Sequence, residues 1–238
     1  MKKFKELFFF LVLLGVIAFL YSFSVKRNAK KPIAEIAIEF TNGDNLYINE
    51  LDVNNLLIQN KTEFKNQSKD VLDLNELERK LEKNPMIYDA EVYIDVEGKL
   101  GAIITQRQPV ARVFGEQGFY IDTHGEKMPL SENYAARVPL VKNVSEKQMM
   151  AIHPFLMKIQ EDEFLKKEVI AMSIEKNNEL VLLLRDYDFE VFFGKLQQID
   201  EKVEKLKVFC QNYSQQPVKV AYDKISLKYK NQVVGTRK

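Results

Sequence analysis

Apolar and polar positions recur at strand and helix spacings in the stretch after the first thirty residues. Isoleucines alternate with glutamates over residues 33–40, which predicts a half-buried strand. Asn49 with Asp52, and then Asp73 with Glu76, are spaced as the first residues of helices, ahead of apolar residues at helical intervals. Two helices are therefore predicted after the first strand.

The alternating pattern returns beyond Asn84-Pro85, a pair that is expected to end the second helix. Residues 90–96 alternate between apolar and polar, Glu97-Gly98 predicts a turn, and residues 100–105 form a further strand. The predicted order is β-α-α-β-β over about 75 residues, a size that suits a small domain.

After Pro109 the pattern changes to short strands with two longer helical segments. The helical segments are residues 145–168, where Pro154 is expected to interrupt the helix, and residues 196–213. The predicted strands are residues 110–114, 119–122, 169–174, 179–185, 189–193, 218–222 and 225–234. The fold class is α+β, with a mixed β-rich second domain that ends in a strand at the sheet edge.

An uncharged apolar run from Leu7 to Phe23 precedes both domains, and lysines flank it on both sides. At roughly 17 residues it lies at the short end of the range for a membrane-spanning helix. We predict a short tail at residues 1–6, a transmembrane helix at 7–24 and a linker at 25–32. A cleaved signal peptide, with Ser22-Phe23-Ser24 as a weak cleavage site, is the alternative. The flanking charges do not decide the orientation.

Charge is distributed unevenly along the 238 residues, 46% of which are hydrophobic and 29% charged. Residues 1–31 and 195–238 each carry a net charge of +6, while residues 32–194 carry −11. The chain beyond residue 31 is therefore acidic overall, which argues against nucleic acid as a main ligand. A single cysteine excludes an internal disulfide framework.

The residues that usually carry out catalysis are scarce and scattered. His124 falls in a predicted turn, His153 precedes Pro154 in a helical segment, and Cys210 lies on a helix beside Phe209. No serine has a nucleophile-elbow setting, and no histidine spacing is typical of zinc. We predict that the protein is not an enzyme and uses no cofactor, metal or small-molecule substrate.

Several short motifs occur in an order that resembles a known family. The stretch Asp73-Leu74, Glu78, Leu81, Asn84-Pro85, Ile87 and Ala90-Glu91-Val92 resembles the second helix and following strand of a POTRA domain. The junction Gln106-Arg107-Gln108-Pro109-Val110-Ala111 is similar to that of the FtsQ/DivIB family of bacterial cell-division proteins, with Gln106 where the family usually has glutamate. Tyr120-Ile121-Asp122 with Gly125, and Phe192-Phe193-Gly194, resemble that family's later motifs.

The resemblance implies a POTRA-like domain at residues 33–108 and a β domain at 109–238. It further implies a non-enzymatic divisome scaffold in the cytoplasmic (inner) membrane, at the division septum, with the N-terminus in the cytoplasm. Such a scaffold binds FtsB/FtsL (DivIC) proteins outside the membrane and regulates septal peptidoglycan synthesis. A POTRA-bearing chaperone or a component of secretion or outer-membrane assembly is the alternative.

The family also implies that the partner docks on the last predicted strand, residues 225–234, which would lie at a sheet edge. Edge lysines also prevent strand pairing in many proteins, so this interpretation has a structural alternative. Charge reversal at Lys228 and Lys230 is expected to weaken binding while barely changing the melting temperature. The predicted partner-binding residues are Ile225, Leu227, Lys228, Tyr229, Lys230, Gln232 and Val233.

The junction between the domains is predicted to set their relative orientation. Pro109 fixes its own φ and restricts Gln108 to extended geometry. Arg107 and Pro109 are therefore the predicted junction residues.

Overall fold

A computed structural model describes residues 2–29, 36–41, 45–58, 72–95, 97–115, 118–142, 144–175 and 177–238. The chain divides into two compact units, residues 1–106 and 107–238. Parts of the predicted elements lie outside the described residues: the first part of the strand at 33–40, the end of the linker at 25–32, and Val96. The triplet Asn42-Gly43-Asp44, whose composition predicts a break after the first strand, and the polar residues 59–71 between the two predicted helices lie outside them too.

Helix α1 spans Lys2–Ala29, so it extends beyond both ends of the predicted segment 7–24 and through most of the predicted linker. Within the described part of the chain, no helix is both long enough and apolar enough to cross a membrane. The predicted transmembrane helix is therefore not confirmed.

The rest of the first unit has the predicted β-α-α-β-β order. Its elements are β1 (Ile36–Phe40), α2 (Glu50–Ile58), α3 (Leu74–Glu82), β2 (Ile87–Ile94) and β3 (Leu100–Gln106). In the three-stranded sheet β3 lies in the middle, parallel to β1 and antiparallel to β2. The helices pack on one face of this sheet, where their apolar residues and alternate strand residues form one core.

The two helices begin where the sequence predicts, because side chains bind their first amides. Asn49 and Asp52 exchange hydrogen bonds: Asp52 N donates to Asn49 Oδ1 at 2.9 Å, and Asn49 N donates to Asp52 Oδ2 at 3.2 Å. Glu76 N donates to Asp73 Oδ1 at 3.1 Å. These bonds satisfy amides that have no partner within the helix.

The described residues of the second unit form a nine-stranded mixed sheet and three helices. Its elements are β4 (Pro109–Val113), β5 (Phe119–Asp122), β6 (Lys127–Pro129), β7 (Leu140–Lys142), α4 (Glu146–Glu161), α5 (Glu163–Glu168), β8 (Val169–Ile174), β9 (Leu180–Leu184), β10 (Glu190–Gly194), α6 (Ile199–Gln215), β11 (Tyr222–Ser226) and β12 (Val234–Arg237). The strand order is β12-β11-β10-β9-β8-β7-β4-β5-β6. Apolar residues of the three helices and one face of the sheet form a single core.

The helical segment at 145–168 does not break at Pro154 as predicted. Pro154 lies inside α4, and the break comes at Asp162, whose Oδ1 accepts a hydrogen bond from Leu165 N and so begins α5. Pro154 is on the exposed side of α4, so the carbonyl that loses its usual partner there can be hydrated. Buried neighbours such as Phe155 and Leu156 hold the helix on the core.

The strands predicted at 218–222 and 225–234 are wrong. The chain forms β11 from Tyr222 to Ser226, leaves the sheet, turns at Asn231 with φ of 59°, and returns as β12. The position of β11 is decided by its parallel pairing with β10, which local alternation cannot reveal. The three-residue strands β6 and β7 have no counterpart among the predictions either.

Candidate partner-binding surface

Strand β12 is the terminal edge of the nine-stranded sheet. It pairs antiparallel with β11, with Ser226 opposite Val234 and Ile225 opposite Gly235. Its other side pairs with no strand among the described residues, and all four of its residues are exposed. Such an edge offers backbone donors and acceptors to an added strand.

A groove of about 490 Å³ lies beside this edge, between α6 and the turn that precedes β12. Phe209 of α6 and Val233 of the turn contribute half-buried apolar surface, and Val208 is more than half exposed. The remaining lining residues are polar or charged: Glu201, Glu204, Lys205, Asn212, Asn231 and Gln232. The groove can therefore hold an apolar side chain while its rim offers polar contacts.

Ile225 and Leu227 are fully buried in the core of this unit. Leu227 N donates to Phe192 O at 3.0 Å, which extends the contact between β11 and β10 by one residue beyond the strand. The two residues hold the end of β11 in the core. Their side chains are not exposed, so a partner cannot contact them directly.

Lys228 is already engaged within the domain. Its ammonium lies 2.6 Å from Glu179 Oε1 and 4.7 Å from the centre of the Phe192 ring. Its stem packs on Gly194, where an added Cβ would come within 2.9 Å of Lys228 Cγ. A partner that contacts Lys228, as the sequence predicts, would meet an ammonium that is already paired with Glu179.

The other four predicted residues lie in the turn between β11 and β12. Tyr229 O accepts a hydrogen bond from Lys205 Nζ at 3.0 Å, which ties the turn to α6. The side chains of Tyr229 and Lys230 are exposed, while Gln232 and Val233 line the groove. Gln232 and Val233 therefore lie next to α6 in a turn. The sequence analysis predicted them within a continuous strand and did not predict this contact with the helix.

Sequence reasoning missed β12 itself and the exposed side of α6. Val208 offered a signal, because it lies off the helical face that carries Val203, Leu206 and Phe209. An exposed valine next to a buried helix face indicates a contact surface only when the position of the turn between β11 and β12 is known. No signal in the sequence placed that turn.

At the junction, Arg107 and Pro109 are bound into the first hairpin of the second unit. Arg107 Nη1 donates to the fully buried carboxylate of Asp122 at 2.6 Å. Asp122 Oδ1 also accepts from His124 N and Glu126 N, and Pro109 pairs with Asp122 across the hairpin. The buried carboxylate organises the turn and holds the arginine.

Gln106, the departure from the family pattern, is a buried acceptor. Its Oε1 receives hydrogen bonds from Tyr47 N at 3.0 Å and Ile48 N at 3.2 Å. The neutral amide thus satisfies two backbone donors that lead into α2.

The two histidines and the cysteine, whose side chains could in principle take part in catalysis, make contacts within the fold. His153 Nε2 lies 2.8 Å from Thr123 O, and His124 Nδ1 lies 3.3 Å from Thr123 Oγ1. Cys210 is buried, and that burial raises the pKa of its thiol to about 12, so the thiol is protonated at neutral pH. Across the described ranges, no three His, Cys, Asp or Glu side chains are grouped to hold a metal ion.

These observations define a two-domain α+β protein, in which a POTRA-like domain precedes a mixed-sheet domain with an open terminal edge. The family model described as FtsQ/DivIB, C-terminal related, matches residues 108–236, and the POTRA-like domain model matches residues 34–105. The chain therefore belongs to the FtsQ/DivIB family, as its motif order predicted. These family domains indicate a scaffold role in cell division, and both families are non-catalytic. No curated protein matches the chain at significant similarity.

Proposed function

We propose that this protein is a non-enzymatic divisome scaffold that binds FtsB/FtsL (DivIC) proteins outside the cytoplasmic membrane. It links early to late septum assembly and thereby regulates septal peptidoglycan synthesis. Membership of the FtsQ/DivIB family supports this role, as does the combination of a POTRA-like domain with a β domain.

The observation that carries the proposal is the side of β12 that pairs with no strand in the described part of the chain, next to the groove on α6. An extended partner segment adds to β12 through main-chain hydrogen bonds and inserts an apolar side chain over Phe209 and Val233. The net charge of +6 over residues 195–238 attracts an acidic segment. Of the residues predicted from the sequence, Tyr229, Lys230, Gln232 and Val233 remain as contacts, with Ile225 and Leu227 supporting them.

Helix α1 is the membrane anchor in this proposal. Every large apolar side chain from Phe8 to Phe23 is exposed, and these side chains occur on all sides of the helix. A helix that is apolar all round is better accommodated in lipid or in protein than in water. The orientation, with the N-terminus in the cytoplasm and the two domains outside, comes from the family.

The decisive experiment compares the full chain with a chain lacking residues 234–238, both in lipid nanodiscs. The ligand is a purified segment, from outside the membrane, of the organism's own FtsB-type protein. We expect the truncation to weaken binding about tenfold or more, because main-chain pairing is lost. The variant Val218→Asp is the control, since Val218 is 81% exposed and lies outside the groove. Equal affinity for the truncated and full-length chains would show that the partner binds elsewhere.

Two further measurements test the cellular part of the proposal. A reporter that works only in an oxidising compartment, fused after Lys238, should be active. Depletion of the protein should produce filamentous, undivided cells. A reporter active only in the cytoplasm would contradict the proposed orientation.

A further inference from the structure

Strand β2 is an outer strand of the three-stranded sheet in the first unit. The strand order is β1-β3-β2, and among the described residues no strand pairs with the side of β2 that faces away from β3. The main-chain groups on such an edge can pair with any extended segment, including the same strand of a second copy. The sequence of β2 contains no lysine or proline, the residues that commonly protect a sheet edge.

The register of β2 shows which of its residues direct main-chain groups toward this outer side. From Asp89 to Ile94 the pairing with β3 is regular, and Val92 lies opposite Ala102. Successive residues of a strand direct their N–H and C=O groups alternately to its two sides. Because Val92 N donates to a side chain outside the sheet, Val92 directs its main-chain groups away from β3, as do Ala90 and Ile94.

Glu78 of α3 occupies the middle of this edge. Val92 N donates a hydrogen bond to Glu78 Oε1 at 2.8 Å. A carbonyl oxygen of an added strand would need the same position, since hydrogen bonds between strands have this length. Val92 is buried and Glu78 is half-buried, so the bond is partly shielded from water. A hydrogen bond to a carboxylate is also stronger than one to a neutral carbonyl, which favours Glu78 over an added strand.

The edge strand of the second unit, β12, differs from β2 in this respect. All four residues of β12 are exposed. No side chain in the described part of the chain forms a hydrogen bond with the main chain of β12. A side chain from a neighbouring helix therefore protects one outer edge of the protein, while the edge proposed to bind a partner has no such protection.

We propose that Glu78 closes the β2 edge of the POTRA-like domain to strand addition, and in particular to pairing with β2 of a second copy. In an antiparallel pair of β2 strands centred on Val92, each Val92 N would donate to Val92 O of the other copy. Glu78 holds that amide in each copy, so the central hydrogen bonds of the pair cannot form. Extended segments are thereby directed to β12. This last consequence rests on the proposed function, whereas closure of β2 does not.

The test uses a dye-labelled synthetic peptide with the sequence of residues 87–95. The same peptide methylated on the nitrogen of its single valine cannot form the central pair and is the probe control. Fluorescence anisotropy measures binding to the full chain in phosphatidylcholine nanodiscs, with empty nanodiscs as the blank. We expect Glu78→Ala to bind the peptide about tenfold more tightly than the wild-type chain does, and the methylated peptide to show no such gain.

Further variants separate the hydrogen bond from the charge and from the packing of α3. Glu78→Asp keeps the charge but is one methylene shorter, so it should open the edge as Glu78→Ala does. Glu78→Gln keeps an oxygen with the same reach, so the edge should stay closed. Glu82→Ala removes an exposed carboxylate from the same helix and should leave peptide binding unchanged. The melting temperature of each variant shows whether it is folded.

Hydrogen exchange locates the bound peptide. Without peptide, the Val92 amide should exchange about tenfold faster in Glu78→Ala than in the wild-type chain, because its acceptor is removed. With peptide, the amides of Ala90, Val92 and Ile94 should become protected in Glu78→Ala only. Any pairing of the peptide with β12 is common to all variants, so failure of the proposed partner site would not alter these differences.

Three results would overturn the proposal. One is equal protection of the β2 amides by the peptide in the wild-type chain and in Glu78→Ala. Another is an unchanged peptide affinity in both Glu78→Ala and Glu78→Asp. The third is a Glu78→Gln variant that binds the peptide as tightly as Glu78→Ala, since this would show that the acceptor oxygen does not close the edge.

Discussion

The ring of Tyr222 in β11 lies against the α-carbon of Gly235 in the edge strand β12. A Cβ added at Gly235 would collide with Cε1 of the Tyr222 ring, closer than side chains pack. Tyr222 also contacts Phe189, Phe209 and Tyr213, so its ring belongs to an aromatic cluster fixed between α6 and the sheet. The position of β12 therefore depends on a residue that has no side chain.

Gly235→Ala should displace β12 and weaken binding of the FtsB-type segment about tenfold. The methyl group overpacks the contact with Tyr222, which typically costs about 1–3 kcal/mol of unfolding free energy. Urea unfolding, hydrogen exchange of the β12 amides and the binding assay measure these effects. Gly115→Ala is the control, since no atom lies within 4 Å of a Cβ added there. Native exchange protection and native affinity in Gly235→Ala would contradict the role of this contact.

Reversing the charge of Lys228 should destabilise the protein, contrary to the expectation from sequence. Lys228→Glu removes the ion pair with Glu179, whose side chain is only 13% exposed, and places two carboxylates together. We expect a loss of about 1–3 kcal/mol in unfolding free energy by urea titration.

Lys230→Glu is the matched control, because Lys230 is exposed and has no ion-pair partner in the described part of the chain. Its effect should stay within about 0.5 kcal/mol. Equally small losses for both variants would show that the Lys228 ion pair contributes little.

The order of elements in the first unit could be predicted because its signals are local. Strand alternation and the side-chain pairs Asn49–Asp52 and Asp73–Glu76 act over a few residues, and each has the expected effect in the structure. The same holds for the three antiparallel strands β8, β9 and β10.

The C-terminal surface could not be predicted, because long-range pairing determines it. Alternation from Ile225 to Val233 is compatible with a continuous strand, yet the parallel pairing with β10 covers Lys224 to Ser226 only. The partner of Lys228 is Glu179, and no local pattern connects these two residues. Contacts of a tyrosine ring with a glycine on the next strand, seen at Tyr222–Gly235 and Tyr93–Gly101, likewise require the register to be known.

Asp162 should make stability depend on pH in the acidic range. Burial alone raises the pKa of Asp162, but hydrogen bonds from the Lys207 ammonium at 2.6 Å and from Leu165 N offset this and hold the pKa below its ordinary value of 3.8. The folded state thus favours the charged form. The resulting stabilisation is present above the ordinary pKa and is lost as the pH falls through the folded-state pKa.

Asp162→Asn keeps an oxygen that can begin α5 but removes the charge. We expect it to lower the unfolding free energy by about 1 kcal/mol at pH 7, with the difference shrinking below about pH 4. Glu204→Gln is the control, because Glu204 contacts the same lysine but is 68% exposed, and its effect should be much smaller. A difference between wild type and Asp162→Asn that stays constant down to pH 2.5 would contradict the charge-based explanation.

Pro109→Gly should loosen the relative orientation of the two units while each unit stays folded. Pro109 restricts its own φ and the backbone of Gln108, and glycine removes both restrictions. Distances between spin labels at Glu82→Cys and Lys219→Cys in the full chain should broaden. The native Cys210 is buried and does not interfere with labelling. Pro217→Gly, in an exposed turn, is the control, and an unchanged distance distribution in Pro109→Gly would exclude a hinge role.

Alanine substitutions at Cys210, His124 and His153 should leave cell division intact, because the proposed function is binding. The Cys210 thiol stays protonated at neutral pH, since burial raises its pKa, and it therefore lacks nucleophilic character. His153→Ala removes the contact between Nε2 and Thr123 O, so we expect a stability loss of about 1 kcal/mol without loss of function. Cell length in a depletion strain complemented by each variant tests this, alongside the melting temperature of the same purified variant. A variant that folds and localises normally but leaves cells filamentous would show that its side chain takes part in chemistry, and the scaffold interpretation would then be wrong.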